Sequence, residues 1–440
     1  MIRSLIKKLN GSPSLEPPQT LSAPLSRPVV SSQKSKLMFQ SVNLSLTSNN
    51  SVHGEGLVYC FFESTLQFNA NTGVQRVARQ TARAMAGIGV KVVAITWDTE
   101  KQSIAPLLPK EIQHLSKWHG PVPEQWHPWV PPSEAPKNSW LMSNEMPSKL
   151  GPGVNDQLLE FAKLNELKTA ATFFDAIPFL FPDLYPAGSA QLHYSYMEQL
   201  ARWDLIFPIS TQSAEDMFDI LPEQICIEQD MTQKLKPISL PSEFTSARRN
   251  LDSPAHLNLR PFIVMLSTFE QRKNHASFLK AMIVAQRSLP FGFDLILVGH
   301  PLEASVVKLV NLYNEILPSM KVVHDASDNQ ISEWLDRADF TVFPSVDEGF
   351  GLPIVESLWH GKPVICDNQR AIREIAKDGG CLQVDVLNVE QLAEAIVTLA
   401  TDLEVYRSKC KEIQNRTFNT WSDYASSIAF LMASHSQQMK

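Results

Sequence analysis

Near-continuous apolar segments that alternate with helix-like segments most constrain the fold of this chain. In the C-terminal half, the strand-like segments are residues 262–267, 293–299, 321–324, 339–344 and 363–366. Residues 275–289 and 303–317, between them, have helical periodicity. Strands buried on both faces have such sequences and are typical of parallel sheets covered by helices. The pattern predicts a doubly wound α/β domain.

A weaker version of the same alternation occupies the N-terminal half. Its predicted strands are residues 57–62, 91–97, 170–175 and 204–210. A chain of 440 residues favours at least two domains. We predict Rossmann-like domains at 51–245 and 255–410, after a tail and linker at 1–50. A C-terminal helical segment, 411–440, can cross back to the first domain.

Two regions fall outside this regular alternation of strands and helices. Residues 102–138 contain many prolines and several tryptophans and give no readable periodicity. The last helices are predicted near 388–402 and 403–436.

Composition excludes several classes of protein. The formal net charge of -7 does not indicate a nucleic-acid partner. Five scattered cysteines without a CxxC pair argue against a disulfide framework or a zinc site and fit a reducing cytosol. The sequence contains no run of about 18 apolar residues, so no membrane-spanning helix is expected. We therefore expect a cytoplasmic protein.

Residues 1–12 add one qualification to that expectation. They place apolar side chains at helical spacing with basic residues between them. Such a segment can lie on an anionic membrane as a short amphipathic helix, or it can be a frayed tail. The first alternative predicts peripheral contact with the cytoplasmic face of the membrane.

The segment 270–274 is a candidate anion site. Arg272 and Lys273 follow a predicted strand and precede a predicted helix, for which Asn274 is a plausible N-cap. A helix N-terminus already favours an anion, and two cations beside it suit a diphosphate. The alternative is a solvated basic pair at the start of a surface helix.

Residues 343–356 predict a strand, a turn and a helix. Gly349 and Gly351 permit unusual backbone angles in the turn, and Pro353 suits the first turn of the helix. Glu348 precedes the helix and Glu356 lies about one turn inside it. Both carboxylates can therefore face the carboxyl end of the sheet, where ligands bind in open α/β folds.

These segments resemble retaining GT-B glycosyltransferases of family 4, in particular their bacterial mannosyltransferase-like members. The most specific similarity is EGFGLPIVE at 348–356, preceded by VFPS and followed by GKPVI. STFEQRKNH at 267–275 is similar to the family's RKN segment. TGVQRV, FFDAIP and DLIFPISTQS in the first half are similar to its weaker N-terminal motifs. The resemblance implies two Rossmann-like domains that face a central cleft.

The resemblance also implies roles for individual residues. The catalytic positions are Glu348, which contacts the transferred sugar, Asp175 near the reacting centre, and Lys273. The implied donor-binding positions are Arg272, Lys273, Glu356, Phe350, Gly351, Leu352, Thr72, Gly73 and Thr268. From the residues alone, Thr72–Gly73 equally fits a simple turn, and Asp175 equally fits a capping carboxylate. Two positions depart from the family pattern: Phe174 stands where many members have histidine, and Thr268 where they have a first basic residue.

The implied activity is metal-independent transfer of a sugar from a nucleotide-sugar, with retention of anomeric configuration. Mannose from GDP-mannose is the first expectation for the donor. The expected acceptor is a glycan or lipid-linked oligosaccharide in O-antigen, capsule or exopolysaccharide synthesis. One alternative is a catalytically silent relative that acts as a scaffold in a glycan-assembly complex. Another is a phosphorylase or synthase of storage glucan.

Overall fold

A computed structural model describes residues 39–42, 56–146, 151, 153–243, 249 and 257–438. The predicted N-terminal helix at 1–12 lies outside these residues, as does the predicted tail and linker at 1–50 apart from residues 39–42. The described residues fall into two compact units. The first unit takes in those within Val30–Ser246, Glu348–Leu352 and Thr417–Lys440, and the second those within Ala247–Asp347 and Pro353–Arg416.

The first unit is built on a six-stranded sheet in the order β3-β2-β1-β4-β5-β6. Only β3 is antiparallel to its neighbour, β2. The strands are β1 (Val58–Phe61), β2 (Val92–Asp98), β3 (Ser103–Pro106), β4 (Trp140–Ser143), β5 (Lys168–Phe173) and β6 (Leu205–Pro208).

Helices of the first unit cover this sheet. They are α1 (Ser64–Gln67), α2 (Gly73–Gly87), α3 (Pro109–Leu115), α4 (Val154–Leu164), α5 (Ile177–Leu180), α6 (Ser189–Ala201), α7 (Thr211–Ile220), α8 (Glu223–Glu228) and α9 (Met231–Lys234). After α9 the chain runs beside β6, where Lys236 N donates to Ile206 O and Ile238 N to Pro208 O.

The second unit is built on a parallel sheet in the order β12-β11-β10-β7-β8-β9. Its strands are β7 (Phe262–Leu266), β8 (Asp294–Val298), β9 (Met320–Val323), β10 (Phe340–Phe343), β11 (Val364–Asp367) and β12 (Cys381–Val384). Its helices are α10 (His275–Ala285), α11 (Ala304–Ile316), α12 (Asp328–Arg337), α13 (Leu352–Trp359), α14 (Arg370–Ala376), α15 (Val389–Thr401) and α16 (Leu403–Asn415). The residues of β10 and β11 are all buried, including Thr341 and Asp367, as expected for strands of a parallel sheet covered on both faces.

The chain ends in α17 (Trp421–Gln438), which packs against α2 in the first unit. The prediction of one helix over 403–436 is wrong, because α16 ends at Asn415 and α17 begins at Trp421. Thr420 precedes the new helix, and its backbone N donates to Asp423 Oδ2 at 2.8 Å. This side-chain cap starts α17 as a separate element.

Candidate active site

The carboxyl ends of β7 and β8 hold the loop that carries the predicted basic residues. Phe269 N donates to His300 O at 2.9 Å, so the two loops are joined directly. A Cβ on Gly299 would lie 1.6 Å from Ser267 O, and glycine is therefore required at that position. This close approach fixes the backbone just before Thr268.

Three predicted donor-binding residues converge on one carboxylate, that of Glu270. Arg272 Nη2 donates to Glu270 Oε1 at 2.8 Å, and Thr268 Oγ1 donates to the same oxygen at 3.1 Å. Lys273 Nζ lies 3.8 Å from it. The basic side chains are largely buried, with 12% and 11% exposure. A solvated basic pair on a surface helix does not fit this arrangement.

A second carboxylate, Glu303, lies beside the same turn. Its Oε1 accepts a hydrogen bond from Gln271 N at 3.1 Å. Burial raises the pKa of Glu303, and the charge of Glu270 acts in the same direction. The hydrogen bond from the Gln271 amide and the charge of Arg272 lower this pKa. Two cations and two carboxylates therefore share the start of this turn, where an incoming anion must compete with protein carboxylates.

Arg272 also ties the basic turn to the loop that follows β10. Val346 N donates to Arg272 O at 3.0 Å, and Arg272 Nη1 donates to Asp347 O at 2.5 Å. Asp347 is in turn held by Arg370 Nε, 2.8 Å from its Oδ2. Arg272 therefore joins the basic turn to the loop after β10, in addition to supplying a positive charge.

Asn274 caps helix α10, as predicted. Its backbone is left-handed, with φ of 54°, and its Oδ1 accepts a hydrogen bond from Ser277 N at 3.3 Å. The next residue, His275, is buried, and burial, assisted by the charge of Lys273, lowers its pKa to about 3. The imidazole is therefore neutral at physiological pH and adds no charge to the basic turn.

Glu356 lies in α13 and is buried, with 5% exposure. Ile354, Val355 and Leu358 on the same helix are buried in the core as predicted, whereas Trp359 is half-buried. Glu356 belongs to the second unit, as do Thr268, Arg272 and Lys273.

The glycine-rich segment Glu348–Leu352 belongs to the first unit. Gly349 O accepts hydrogen bonds from Ser210 Oγ at 2.6 Å and Ser213 Oγ at 3.2 Å. A Cβ at Gly349 would lie 2.6 Å from Phe174 O and 2.9 Å from Asp175 Cβ. Close approach to another backbone explains the glycine here.

The remaining residues of this segment differ in their setting. Gly351 has φ of 120°, which favours glycine. Phe350 is buried, and Glu348 is half-buried.

Asp175 follows β5 and is held from two sides. Its Oδ1 accepts a hydrogen bond from Ile177 N at 2.9 Å, and its backbone O lies 2.8 Å from His193 Nε2. Burial lowers the pKa of His193, while the Asp175 charge acts in the opposite direction. Local sequence pattern does not pair His193 with Asp175, because the two residues are 18 positions apart.

Thr72 and Gly73 lie at the start of α2 and are exposed. Thr72 Oγ1 donates to Gln75 Oε1. A Cβ on Gly73 would be 3.6 Å from Leu352 Cδ1, an ordinary van der Waals contact. Most of the predicted site residues thus fall into two groups: Thr268, Arg272 and Lys273 lie at Glu270, and Asp175 and Gly73 lie beside the Glu348–Leu352 segment. Glu356 belongs to the second unit, but none of these contacts involves its side chain. Sequence reasoning missed Glu270 and Glu303, although Glu270 lies within the motif itself.

Within the part of the chain that the structure describes, no group of three or more His, Cys, Asp or Glu side chains has a geometry that could hold a metal ion. No helix among the same residues is long and apolar enough to cross a membrane.

The two parallel α/β sheets define a GT-B fold, and a solved structure of that class supports the assignment. HepE from Anabaena, crystallised with UDP and glucose, matches 87% of this chain and 98% of its own with a TM-score of 0.52 and 14% identity. Residues 260–402 match the family model described as glycosyl transferases group 1. Residues 260–402, in the second unit, are therefore similar to glycosyl transferases group 1, and this similarity together with the fold confirms the predicted resemblance and fold class.

Curated relatives are similar over shorter stretches. The O-antigen chain mannosyltransferase RfbU of Salmonella typhimurium is 29% identical over 134 residues, 28% of this chain and 37% of its own length. O-antigen chain mannosyltransferase B of Escherichia coli is 24% identical over 242 residues, 53% of this chain and 62% of its own. The chain therefore matches less than two thirds of the length of either relative.

Proposed function

We propose that this protein is a retaining glycosyltransferase that moves a sugar, mannose as first expectation, from a nucleotide-sugar to a glycan or lipid-linked acceptor in surface polysaccharide synthesis. One observation carries the proposal: within the segment that matches glycosyl transferases group 1, Thr268, Arg272 and Lys273 converge at the carboxyl end of β7. Anionic ligands bind at this edge of open α/β sheets.

The chemistry follows from where charge develops. Glycosyl transfer places negative charge on the departing nucleoside diphosphate, and Lys273 with the amides at the start of α10 is positioned to stabilise it. No divalent cation is required if these groups supply the positive charge. In the proposed reaction the acceptor oxygen bonds to the anomeric carbon on the same face from which the diphosphate leaves. The leaving phosphate takes the acceptor proton, and retention results without a protein nucleophile.

Donor and acceptor come from the relatives by analogy. The names of two relatives point to mannose and O-antigen, whereas HepE was crystallised with UDP and glucose. GDP-mannose and UDP-glucose are therefore the first two donors to compare. The proposal places Glu348 and Asp175 at the transferred sugar and Glu356 at the ribose hydroxyls. Contact with the cytoplasmic face of the membrane belongs to the proposal as well, because a lipid-linked acceptor is presented there.

A donor screen tests the proposal. Purified protein is incubated with each nucleotide-sugar and an octyl mannoside acceptor, with EDTA present in a parallel set, and nucleoside diphosphate release is measured. We expect one donor to be turned over with and without EDTA, and an NMR spectrum of the product to show the donor's anomeric configuration. An inverted product would remove the retaining assignment, and activity lost in EDTA would remove metal independence.

The engagement of both cations by Glu270 favours a second candidate, a silent relative that serves as a scaffold. A thermal-shift screen separates the two, because a bound ligand raises the melting temperature by mass action. The enzyme must respond to at least one nucleoside diphosphate. A flat response to GDP and UDP, together with no turnover, would support the scaffold.

A further inference from the structure

Two buried charged side chains lie near the carboxyl ends of β1 and β4, and the proposed chemistry uses neither. Arg79 is 0% exposed and Glu145 is 1% exposed. Burying a charge costs free energy unless it is paired and hydrogen-bonded. The contacts of Arg79 and Glu145 therefore indicate which part of the structure these two buried charges stabilise.

Glu145 binds the backbone of the segment that follows β1. Its carboxylate accepts hydrogen bonds from three consecutive amides, those of Glu63, Ser64 and Thr65, the last at 3.0 Å. Thr65 Oγ1 donates to it as well. Burial raises the pKa of Glu145, and these hydrogen bonds act in the opposite direction. The segment that follows β1 is thus wrapped around one acidic side chain.

Arg79 reaches both ends of the same loop. From α2, its Nη2 contacts Thr65 O at 3.4 Å and its Nη1 donates to Asn71 Oδ1 at 3.2 Å. Burial lowers the pKa of Arg79 to about 10, while Glu145 acts to raise it, so the guanidinium stays charged at neutral pH. Asn71 immediately precedes Thr72 and Gly73, the exposed start of α2.

The segment after β3 completes the enclosure. Arg79 Nη2 lies 3.3 Å from His114 Nε2, and the guanidinium carbon lies 4.7 Å from the centre of the Trp118 ring. Thr65 of α1, Asn71 before α2, and His114 and Trp118 of the proline-rich stretch therefore meet at one buried guanidinium. The result is a closed polar network behind an exposed loop.

We propose that Arg79 and Glu145 are positioning residues that fix residues 63–73, so that Thr72 and Gly73 hold a set geometry for sugar transfer. This rests on the proposed function. Groups that face a substrate must be supported by locked neighbours, and misplacement by about 1 Å can cost ~100-fold in rate. Neither Arg79 nor Glu145 touches the substrate in this account.

The test breaks only the outer end of the network. Asn71→Ala removes the Arg79 acceptor that lies next to Thr72 and leaves Thr65 O and the other buried partners in place. Asn69→Ala is the matched control, because Asn69 lies in the same loop and accepts a solvent-exposed hydrogen bond from Lys117 Nζ at 3.2 Å. Turnover is measured with GDP-mannose, or with whichever donor replaces it in the screen, and GDP binding is measured by thermal shift.

We expect Asn71→Ala to lower kcat at least tenfold with the melting temperature of the unliganded protein unchanged, and Asn69→Ala to retain wild-type kcat and GDP binding. Arg79→Lys, whose single ammonium cannot reach both Thr65 and Asn71, should lower kcat in the same direction. Equal kcat for the two asparagine variants would overturn the inference while leaving the proposed function intact. If the wild type turns over no donor, the proposed function fails, and the inference fails with it.

Discussion

Lys273 Nζ lies 3.8 Å from Glu270 Oε1, the same oxygen that Arg272 contacts at 2.8 Å. In the proposed reaction, a diphosphate would compete with this carboxylate for both cations. Arg272 also donates to Asp347 O, which ties it to the loop that follows β10.

Glu270→Gln should tighten nucleoside diphosphate binding. The amide keeps an acceptor for Arg272 but removes the negative charge that competes for Lys273. We expect Kd for the diphosphate of the accepted donor to fall about tenfold, which is about 1.4 kcal/mol. Calorimetric titration measures it, with Glu315→Gln on the exposed face of α11 as the control. Weaker binding in Glu270→Gln would mean that the carboxylate mainly holds Arg272 in place.

Arg272→Lys should reduce stability, because one ammonium cannot contact Glu270 and Asp347 O in the fork geometry of a guanidinium. The expected loss in free energy of unfolding is about 1.5–3 kcal/mol, the scale of one hydrogen bond to a charged group. Urea denaturation tests this, with the exposed Arg287→Lys as the control. An Arg272→Lys midpoint equal to that of the control would show that the link does not contribute to stability.

Gly349→Ala should impair activity more than stability. The added methyl group would lie 2.6 Å from Phe174 O, so the segment that carries Glu348 must move. Gly87→Ala is the control, since its Cβ would meet nothing within 4 Å. We expect a loss of roughly 100-fold in kcat/KM, the scale of a misplaced catalytic group. A Gly349→Ala enzyme with wild-type kcat/KM would argue against a role for this segment.

His275 should make stability depend on pH. Its folded-state pKa of about 3 lies below the ordinary value of 6.5, so the unfolded state binds a proton first. The stability it contributes is complete above pH 6.5 and is lost as pH falls toward 3, by up to about 1.4 kcal/mol per pH unit. Urea denaturation of wild type and His275→Gln between pH 4 and 8 tests this. A difference between them that does not change with pH would contradict the prediction.

Sequence pattern predicts best those strands whose residues are nearly all buried in the same apolar surroundings. The apolar strands β7, β8 and β10 are buried by helices, and their composition alone indicates this. β4 was missed because four residues after a proline-rich stretch carry little periodicity. The break between α16 and α17 had a readable cap, Thr420 with Asp423, that outweighs the helical periodicity on either side.

The site was predicted less completely, for a different physical reason. Motif positions identify Arg272 and Lys273, but not the carboxylate that faces them. Glu145 is 80 residues from Thr65, and His193 is 18 from Asp175. Such contacts depend on which strands become neighbours in the sheet, and local sequence pattern does not specify that order.

The most direct test of the account compares Lys273→Ala with Lys280→Ala, an exposed lysine on the helix that follows. Steady-state release of nucleoside diphosphate is measured with the accepted donor and acceptor. The account predicts a loss of about 100-fold or more in kcat for Lys273→Ala, the cost of removing a preorganised charge from a leaving group, and wild-type kcat for Lys280→Ala. Equal kcat for the two variants, with both fully folded, would contradict it.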